Sequence, residues 1–424
     1  MSVFLKWPLT WSLISVSTAL LISGCGPYGS ASEQSPVFYG QVENILQDKC
    51  VSCHFTGGLA PFPLETLEQV RTMASVVADS VKSGRMPPWP PAQDCWPLAA
   101  PRALSQEQKT LLLEWLEGDQ APGSEANHRP LPEEDVNPLG EPQKRVQMEV
   151  PFVPSTVEDE YRCFIMDPQL EEDIFLTATY VEPGNDAIVH HVVLFEDPTG
   201  ASLALDAEDE RAGYECEGSA GEDMINLGNW VPGDGPDVLP AGTGLRLHAG
   251  SKLVMQVHYH ARGTEQTDQT SVGLYLSDDE TLLPADYIRV GNRNFTIPAG
   301  SQYYVVTAEF RFPSDGWVWG AGGHMHLLGQ EIFVEYEPEN EPTQCMLHIP
   351  DWDFGWQGNY FFEKAIPVSF GERMRVTCRF DNSDQNPDNP HVPPRDVSWG
   401  ESSFDEMCVS GIYYVANPET RQGY

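Results

Sequence analysis

The chain has 424 residues, enough for two to four domains with cores of their own. It carries 63 acidic and 24 basic residues, a formal net charge of −39, which disfavours nucleic acid and anionic lipid as partners because both would be repelled. Such a surface suits a soluble exterior or a positively charged partner protein. The 36 glycines and 36 prolines favour a β-rich protein with many turns.

The N-terminal segment predicts export. An apolar stretch from Trp7 to Ile22 follows Lys6 and is short for a membrane span. It leads into the run LISGC, which resembles a bacterial lipoprotein box, so we expect a signal peptide of residues 1–24 and a lipid on Cys25. Gly26 follows instead of Asp, which favours the periplasmic face of the outer membrane or the cell surface. An ordinary signal peptide with a chance cysteine is the alternative.

Residues 25–36 are small and polar and predict a flexible tether, which would leave the lipid as the only contact with the membrane. Residues 37–120 then predict a small helical domain, in which Ser105 and Gln108 form a capping box that opens the last helix. Residues 121–150, rich in Pro and Glu, predict an extended linker. The expected apolar helix faces are Val42, Ile45 and Leu46; Val70, Met73, Val76 and Val77; and Leu112, Trp115 and Leu116.

The first predicted helix leads into CVSCH at residues 50–54, a c-type haem attachment sequence. In such a sequence Cys50 and Cys53 bind the haem covalently and His54 becomes an iron ligand. Met86, in the run SGRMPPWPP, is the expected second ligand, as in small cytochromes with His and Met ligation. Met73 is the alternative, although its place on an apolar helix face favours a core role. We therefore expect a cytochrome c-like domain with one haem c.

After about residue 150 the pattern changes to short alternating runs separated by Gly, Pro, Asn and Asp. These runs are IFLTATYV, SKLVMQVHYH, QYYVVTAEFRF, EIFVEY and RMRVTCRF. They predict all-β, jelly-roll-like sandwiches, and the length suits two of them, residues 151–285 and 286–424. The expected fold is thus a small all-α cytochrome c domain followed by two all-β sandwich domains.

Six possible copper ligands lie in this β-rich part. They are His190 and His191 in IVHHVVLF, His258 in VMQVHYH, His324 and His326 in GGHMHLLG, and Met407 in SFDEMC. The histidines of HMH would point to one face of a strand, whereas the adjacent pair in HHVV can share a metal only if the strand is bent or bulged there. His260 shares a strand face with His258 and is an alternative third ligand. A thioether among the ligands favours Cu(I) and argues against zinc, magnesium or calcium.

In this order the motifs resemble those of the copper type II, ascorbate-dependent monooxygenases, the family of peptidylglycine alpha-hydroxylating and dopamine beta-monooxygenases. The resemblance covers roughly residues 150–424 and includes YRCFIMDP near its start. It implies two packed sandwiches with one copper each, facing across a solvent-filled cleft, and it favours His258 over His260. By that match His190, His191 and His258 hold the electron-transfer copper, and His324, His326 and Met407 hold the copper that binds dioxygen and attacks substrate.

Two positions depart from the family pattern. The peptide-amidating branch has an Arg two residues before its His-x-His, where this chain has Gly322. That branch and the amine-hydroxylating branch have a Tyr four residues after the ligand Met, where this chain has Gly411. A C-terminal peptide carboxylate is therefore not the expected substrate, and we expect a roomier and less polar pocket.

The remaining six cysteines form an even set in an oxidising compartment and predict up to three disulfides. The family's cysteine placement implies Cys163–Cys216 and Cys378–Cys408. Cys95 and Cys345 are left, either as a bridge from the haem domain to a sandwich or as two free thiols.

The expected function is a haem-coupled dicopper monooxygenase that hydroxylates a C–H bond of a small organic substrate with O2. Ascorbate supplies the electrons in the animal enzymes of this family. The fused cytochrome suggests that here a periplasmic donor reduces haem c, from which electrons pass to the three-histidine copper and then to the His2Met copper. The alternative is a copper- and haem-binding electron-transfer or copper-handling lipoprotein without oxygenase activity.

Overall fold

The computed structural model describes residues 35–99, 101–131, 137–156, 160–216, 220–221, 223–260, 263–400 and 402–417. The predicted signal peptide, the lipidation site Cys25 and most of the predicted tether lie outside these ranges. Within them, no helix combines the length and the apolar character needed to span a membrane.

Three helices form the N-terminal part of the described chain. They are α1 Glu43–Lys49, α2 Leu67–Lys82 and α3 Gln106–Glu117, with a π-helical turn at Phe38–Val42 and a 3-10 turn at Glu125–Asn127. The expected capping box of Ser105 and Gln108 opens α3, and Thr66 with Gln69 forms another on α2. Both boxes satisfy backbone N–H groups that the first helical turn leaves without partners.

The helices bury a core of their own, and the predicted apolar faces of α1 and α3 are confirmed. On α2 the prediction is partly wrong, because Val76 is 46% exposed and Ala74, Ala78 and Val81 complete the buried face instead. A helix at the surface buries a single stripe at 3.6-residue spacing, and Val76 falls outside that stripe.

The β-rich part contains one short helix, α4 Ser202–Glu208, and the described residues form twenty strands. The strands are β1 Lys144–Gln147, β2 Glu160–Met166, β3 Ile174–Glu182, β4 Val189–Asp197, β5 Tyr214–Glu215, β6 Ile225–Trp230, β7 Asp237–Val238, β8 Thr243–Leu247, β9 Lys252–Tyr259, β10 Ser271–Ser277, β11 Leu283–Gly291, β12 Thr296–Ile297, β13 Tyr304–Arg311, β14 Gly316–His324, β15 Gly329–Glu337, β16 Gln344–Ile349, β17 Asn359–Val368, β18 Arg373–Phe380, β19 Val397–Ser398 and β20 Val409–Ala416. All five runs predicted as strands are strands. The segment predicted as a linker contains β1, which pairs with β10.

Two sandwiches share one long sheet, whose strand order is β1-β10-β3-β8-β11-β20-β14-β17, with β7 also paired to β3. The first half of this sheet and the sheet β5-β2-β9-β4-β6 enclose one core. The second half and the sheet β13-β18-β15-β16 enclose another. A parallel pairing of β8 with β11 joins the halves. Because β11 spans Leu283–Gly291, the boundary expected between residues 285 and 286 falls inside this strand.

Three disulfides tie the described chain together. Cys163–Cys216 lies in the first sandwich, and Cys378–Cys408 joins β18 to the start of β20. Both pairings implied by the family resemblance are confirmed. The third disulfide, Cys95–Cys345, ties the segment between α2 and α3 to β16, so the bridge is correct and the two free thiols are not.

Candidate copper centres in one cleft

The three-histidine cluster depends on a β-bulge in β4. Where β4 pairs with β9, Val189 lies opposite Tyr259 and His191 lies opposite His258, which leaves His190 as an extra residue. The extra residue allows two adjacent side chains to approach one point, which a regular strand would prevent. The interruption predicted from the HH pair is confirmed.

The ring nitrogens of this cluster have the spacing of a metal site. The Nδ1 atom of His190 lies 3.1 Å from that of His258 and 3.3 Å from that of His191, and the remaining edge is 3.4 Å. Three nitrogens bound to one ion at about 2.0–2.1 Å lie about 3.3–3.6 Å apart, so this triangle is close to the size that an ion requires. His260 is exposed, with its ring centre 6.2 Å from that of His190, and it stays outside the cluster.

Burial favours the neutral form of His191 and His258, which is the form that binds a metal. The pKa of His258 is lowered to about 3, first by burial and then by the neighbouring His190. Burial also lowers the pKa of His191 well below its ordinary value, and the neighbouring histidines add to the effect. The ring of Tyr161 stacks on that of His258 with centroids 4.2 Å apart and fixes its plane. The sequence offered Tyr161 within YRCFIMDP but gave no sign of this role.

The second cluster lies where β14 ends. His324 is the last residue of β14 and His326 lies in the turn that follows, so the prediction that both lie on one strand is wrong. The intervening Met325 is fully buried in the core of the second sandwich. The two rings still lie side by side, with centroids 5.0 Å apart, and both line the same cleft as Met407.

Both histidines of the second cluster contact an oxygen through Nδ1. Nδ1 of His324 lies 2.6 Å from Oε1 of Gln357, and Nδ1 of His326 lies 3.2 Å from the carbonyl oxygen of Asp405. An Nδ1–H that donates to oxygen fixes the ring and leaves Nε2 as the atom that can bind a metal. The two imidazoles and the thioether of Met407 therefore form a donor set that fits copper in its reduced state.

Glu406 holds the turn that carries His326. Its carboxylate accepts backbone N–H groups from His326 at 2.9 Å, Leu328 at 2.6 Å and Met407 at 3.1 Å. Burial raises the pKa of Glu406 to about 8, although these N–H groups oppose the rise. The sequence analysis missed Glu406, even though it directly precedes Met407. It also missed Gln357, for which no local signal exists because the contact spans 33 residues.

One loop of the second sandwich, residues 350–358, reaches both clusters. The ring of Phe354 lies 5.9 Å from that of His326, and the ring of Trp356 lies 6.1 Å from that of His190. Gln357, the next residue, contacts His324. The loop therefore fixes the position of the second cluster relative to the first.

Both clusters open on one cleft of about 340 Å³, a size that suits a small organic molecule. The lining residues that belong to the clusters are His191, His324, His326 and Met407. A second cavity of about 630 Å³ is lined by His190, His191, His258 and His260. A cleft with residues of both clusters on its walls is thus present.

The CVSCH sequence follows α1 in the helical part. Cys50 and Cys53 form no disulfide with each other, and Nδ1 of His54 lies 2.9 Å from the carbonyl oxygen of Phe62, which leaves Nε2 as the open ring nitrogen. Met86 follows α2 and is half-buried; Met73 is also half-buried and packs against the helical core. Two thiols and an open imidazole nitrogen are the donor set that covalent haem requires. The structure does not distinguish Met86 from Met73 as the second iron ligand.

Comparisons with known proteins agree with this geometry. Residues 287–423 match the C-terminal domain of the copper type II ascorbate-dependent monooxygenases. Dopamine beta-hydroxylase of Rattus norvegicus is 23% identical over 292 residues, which covers 63% of this chain and 45% of that protein. Tyramine beta-hydroxylase of Caenorhabditis briggsae is 21% identical over 288 residues, which covers 62% and 46%. The chain thus spans less than half the length of these relatives.

Among solved structures, PNGF-II covers 65% of this chain and 66% of its own, with 11% identity and a TM-score of 0.26, a value too low to support any argument. The sequence match does support an argument, because the matched C-terminal domain contains His324, His326 and Met407, which the structure brings to one cleft. Residues 287–423 therefore form a C-terminal domain similar to that of the copper type II ascorbate-dependent monooxygenases.

Proposed function

We propose that this protein hydroxylates a C–H bond of a small organic substrate with O2, as a dicopper monooxygenase. One observation carries the proposal: His191 of the three-histidine cluster lines the same cleft of about 340 Å³ as His324, His326 and Met407 of the second cluster. A site that only stored or moved copper would not need two different donor sets around a space for a third molecule.

The two donor sets support different roles. His190, His191 and His258 would hold a copper that exchanges electrons, since three neutral imidazoles serve both of its oxidation states. His324, His326 and Met407 would hold the copper next to the substrate, because a thioether favours the reduced ion that dioxygen must meet. When bound, the two ions would supply the two electrons that hydroxylation requires. The chain itself orients the rings of His258 and His324 through Tyr161 and Gln357, and Glu406 holds the backbone of His326.

We further propose that residues 37–120 are a cytochrome c-like domain, with haem c held by Cys50, Cys53 and His54 and with Met86 as the second iron ligand. Electrons from a periplasmic donor would enter there, pass to the three-histidine copper and then to the His2Met copper. A short distance supports this order: Sγ of Cys53 lies 3.2 Å from the carbonyl oxygen of Pro232. Pro232 lies two residues after Trp230, which pairs with Val192 on the bulged strand β4. The protein would be an exported lipoprotein anchored through Cys25.

The deciding experiment uses the copper-loaded full chain. The protein is reduced without oxygen, then mixed with isotopically labelled dioxygen and a panel of small organic molecules. One labelled oxygen atom in a hydroxylated product supports the monooxygenase. Met407→Ile should abolish that product and leave the three-histidine copper bound, whereas His348→Ala, on β16 and outside the cleft, should retain activity. Peroxide alone across the whole panel would favour a copper-handling or electron-transfer protein instead.

Haem coupling is tested separately. Cys50→Ala/Cys53→Ala should lose the covalent haem, which is read from the alkaline pyridine spectrum and from the protein mass. With the haem present and reduced, anaerobic mixing with oxidised copper should reoxidise it, and His258→Ala should slow that reoxidation. Equal rates in both proteins would show that electrons do not pass through the three-histidine cluster.

A further inference from the structure

Strand register places the two departures from the family pattern side by side. In the long sheet Gly322 on β14 lies opposite Gly411 on β20, and Gly411 lies opposite Arg289 on β11. Directly opposed residues of antiparallel strands project to the same face, and all three of these line the cleft. Across β14, β20 and β11 these residues form a row of two glycines followed by the guanidinium-bearing Arg289.

Neighbouring polar side chains fill the space that the two glycines leave. A Cβ atom added to Gly411 would collide with the phenol of Tyr287, and one added to Gly322 would collide with the amide oxygen of Asn359. The expectation of a roomier and less polar pocket is therefore wrong. The polar groups that the family places on β14 and β20 are absent, and β11 supplies a tyrosine and an arginine on the same face instead.

This part of the cleft is basic although the protein is strongly acidic. Arg289 and Arg293 both line it, whereas the described lining residues include no Asp or Glu, in a chain of net charge −39. Both side chains are exposed, and neither forms an ion pair with a described residue. The guanidinium of Arg293 lies over the ring of Trp399, 4.9 Å from its centroid.

The guanidinium of Arg289 lies close to the second cluster. Arg289 lines the same cleft as His324, His326 and Met407, and its strand β11 is separated from β14, which carries His324, only by β20. An exposed arginine usually serves solubility, but an acidic protein gains little solubility from two arginines in a cleft. A guanidinium without a carboxylate partner is suited to a planar anion, which it can bind through two parallel hydrogen bonds.

We propose that Arg289 and Tyr287 bind the carboxylate of the substrate, and hence that the substrate is a small organic carboxylate. This inference rests on the proposed function, which places the reacting C–H bond next to His324, His326 and Met407. The anchor fixes one end of the molecule on β11, two strands from β14, which carries His324. A cationic amine would meet two positive charges in this cleft.

The test measures binding, so that it does not depend on turnover. Isothermal titration calorimetry is run on the full chain with alkyl and arylalkyl carboxylates of increasing length, each paired with its amide and its amine. Copper is first removed by chelation, because a carboxylate could otherwise bind the metal directly, and the titrations are then repeated with copper present. We expect at least one carboxylate to bind at least tenfold more tightly than its amide and its amine.

Arg289→Gln should weaken binding of that carboxylate about tenfold to a hundredfold and leave binding of its amide unchanged. Tyr287→Phe should weaken it less, since one neutral hydrogen bond is lost. Arg311→Gln is the matched control, because Arg311 is also exposed but lies on β13 and donates to the carbonyl of Gly371 outside the cleft.

Carboxylates that bind no better than their amides, or a preference that survives Arg289→Gln, would overturn the inference. Selective carboxylate binding without any labelled product would instead leave this inference standing and remove the monooxygenase. Labelled product from neutral or cationic substrates alone would support the monooxygenase and overturn the inference that the substrate is a carboxylate.

Discussion

At the scale of single residues, positions without side chains shape the cleft as much as the ligands do. Gly411 and Gly322 occur where the family carries large polar residues, and each lies under a polar side chain that comes from another strand. A substitution at either glycine therefore tests which side chain occupies the space above it.

Gly411→Ala should lower the free energy of unfolding by about 1–3 kcal/mol, because the added methyl group overlaps the ring of Tyr287. Gly235→Ala is the control, since nothing lies within 4 Å of its added Cβ. The double variant Tyr287→Ala/Gly411→Ala should lose less stability than the sum of the losses in the two single variants, as expected for residues in contact. Urea denaturation is measured for the unmodified protein, Gly411→Ala, Tyr287→Ala, the double variant and the Gly235→Ala control. Additive costs would show that the two positions do not meet.

Asp237 gives the stability a dependence on pH. Its carboxyl group lies beside apolar side chains such as Leu227 and Trp319, and burial, followed by the charge of Asp234, raises its pKa to about 7. The folded protein thus holds this proton more tightly than the unfolded chain, whose value is near 4. The stabilising contribution is complete below about pH 4 and is lost as the pH rises through about 7.

Asp237→Asn should therefore gain stability relative to the unmodified protein between pH 5 and pH 8, on the order of 1 kcal/mol. Asp278→Asn, which changes an exposed carboxylate after β10, should show no such gain. Denaturation curves at both pH values measure the difference in free energy of unfolding between Asp237→Asn and the unmodified protein. A difference that does not change with pH would contradict the raised pKa of Asp237.

At the scale of elements, the second cluster depends on pieces that are distant in the chain. β14 supplies His324, the segment before β20 supplies Met407, and the loop of residues 350–358 supplies Gln357. The disulfide Cys378–Cys408 fixes the residue next to Met407 to β18. These connections determine how well the donor atoms are held before a metal binds.

Gln357→Leu should weaken copper binding at the second cluster about tenfold to a hundredfold, because the His324 ring loses the acceptor that orients it. The three-histidine cluster should keep its affinity. Competition titration with a Cu(I) chelator measures both sites. Gln344→Leu is the control, since Gln344 contacts only the exposed Glu341 through its side-chain amide. Equal affinities in Gln357→Leu and the control would remove Gln357 from the site.

Cys378→Ala/Cys408→Ala should destabilise the second sandwich by about 2–4 kcal/mol, since the bridge closes a loop across 30 residues. Because Cys408 adjoins Met407, copper should also be lost first from the second cluster. Cys163→Ala/Cys216→Ala should show the opposite order of loss. Copper content during progressive urea denaturation distinguishes the two patterns, and the same order in both variants would be evidence against local bracing.

Patterns within one element were predictable from the sequence itself, whereas contacts between elements were predictable only where the family resemblance implied them, as for two of the disulfides. The capping box at Ser105 and the bulge at His190 follow from local chemistry, because adjacent histidines can share a metal only on an irregular strand. Gln357 reaches its histidine only through the packing of a loop. The place of Tyr287 above Gly411 depends on strand register, which alternation alone does not determine.

At the scale of the whole molecule, the helical part contacts both sandwiches. Its Cys53 and Arg102 contact the loop after β6, where Arg102 pairs with Asp234. Residues 89–99, which we call the strap, run along the second sandwich. The strap is joined there by Cys95–Cys345 and by a bridge between Leu98 and Phe362. The strap therefore braces β16 and β17, the two strands between which the loop of residues 350–358 extends.

Removal of the disulfide in Cys95→Ala/Cys345→Ala should release the strap without unfolding the sandwiches. Three backbone N–H groups report on it, because those of Ala92, Trp96 and Ala99 donate to carbonyls of β16 and β17 at 2.8–3.0 Å. Their hydrogen exchange should accelerate about tenfold to a thousandfold, as expected when a disulfide worth about 2–4 kcal/mol is lost. Exchange in the loop of residues 350–358 should rise as well, since β16 and β17 lose their brace, while that of β4 and β9 stays unchanged. Mass spectrometry of peptides from these segments measures each rate. Unchanged exchange in the strap would show that its remaining contacts hold it, and acceleration in β4 and β9 would show that the disulfide stabilises the protein globally instead of locally.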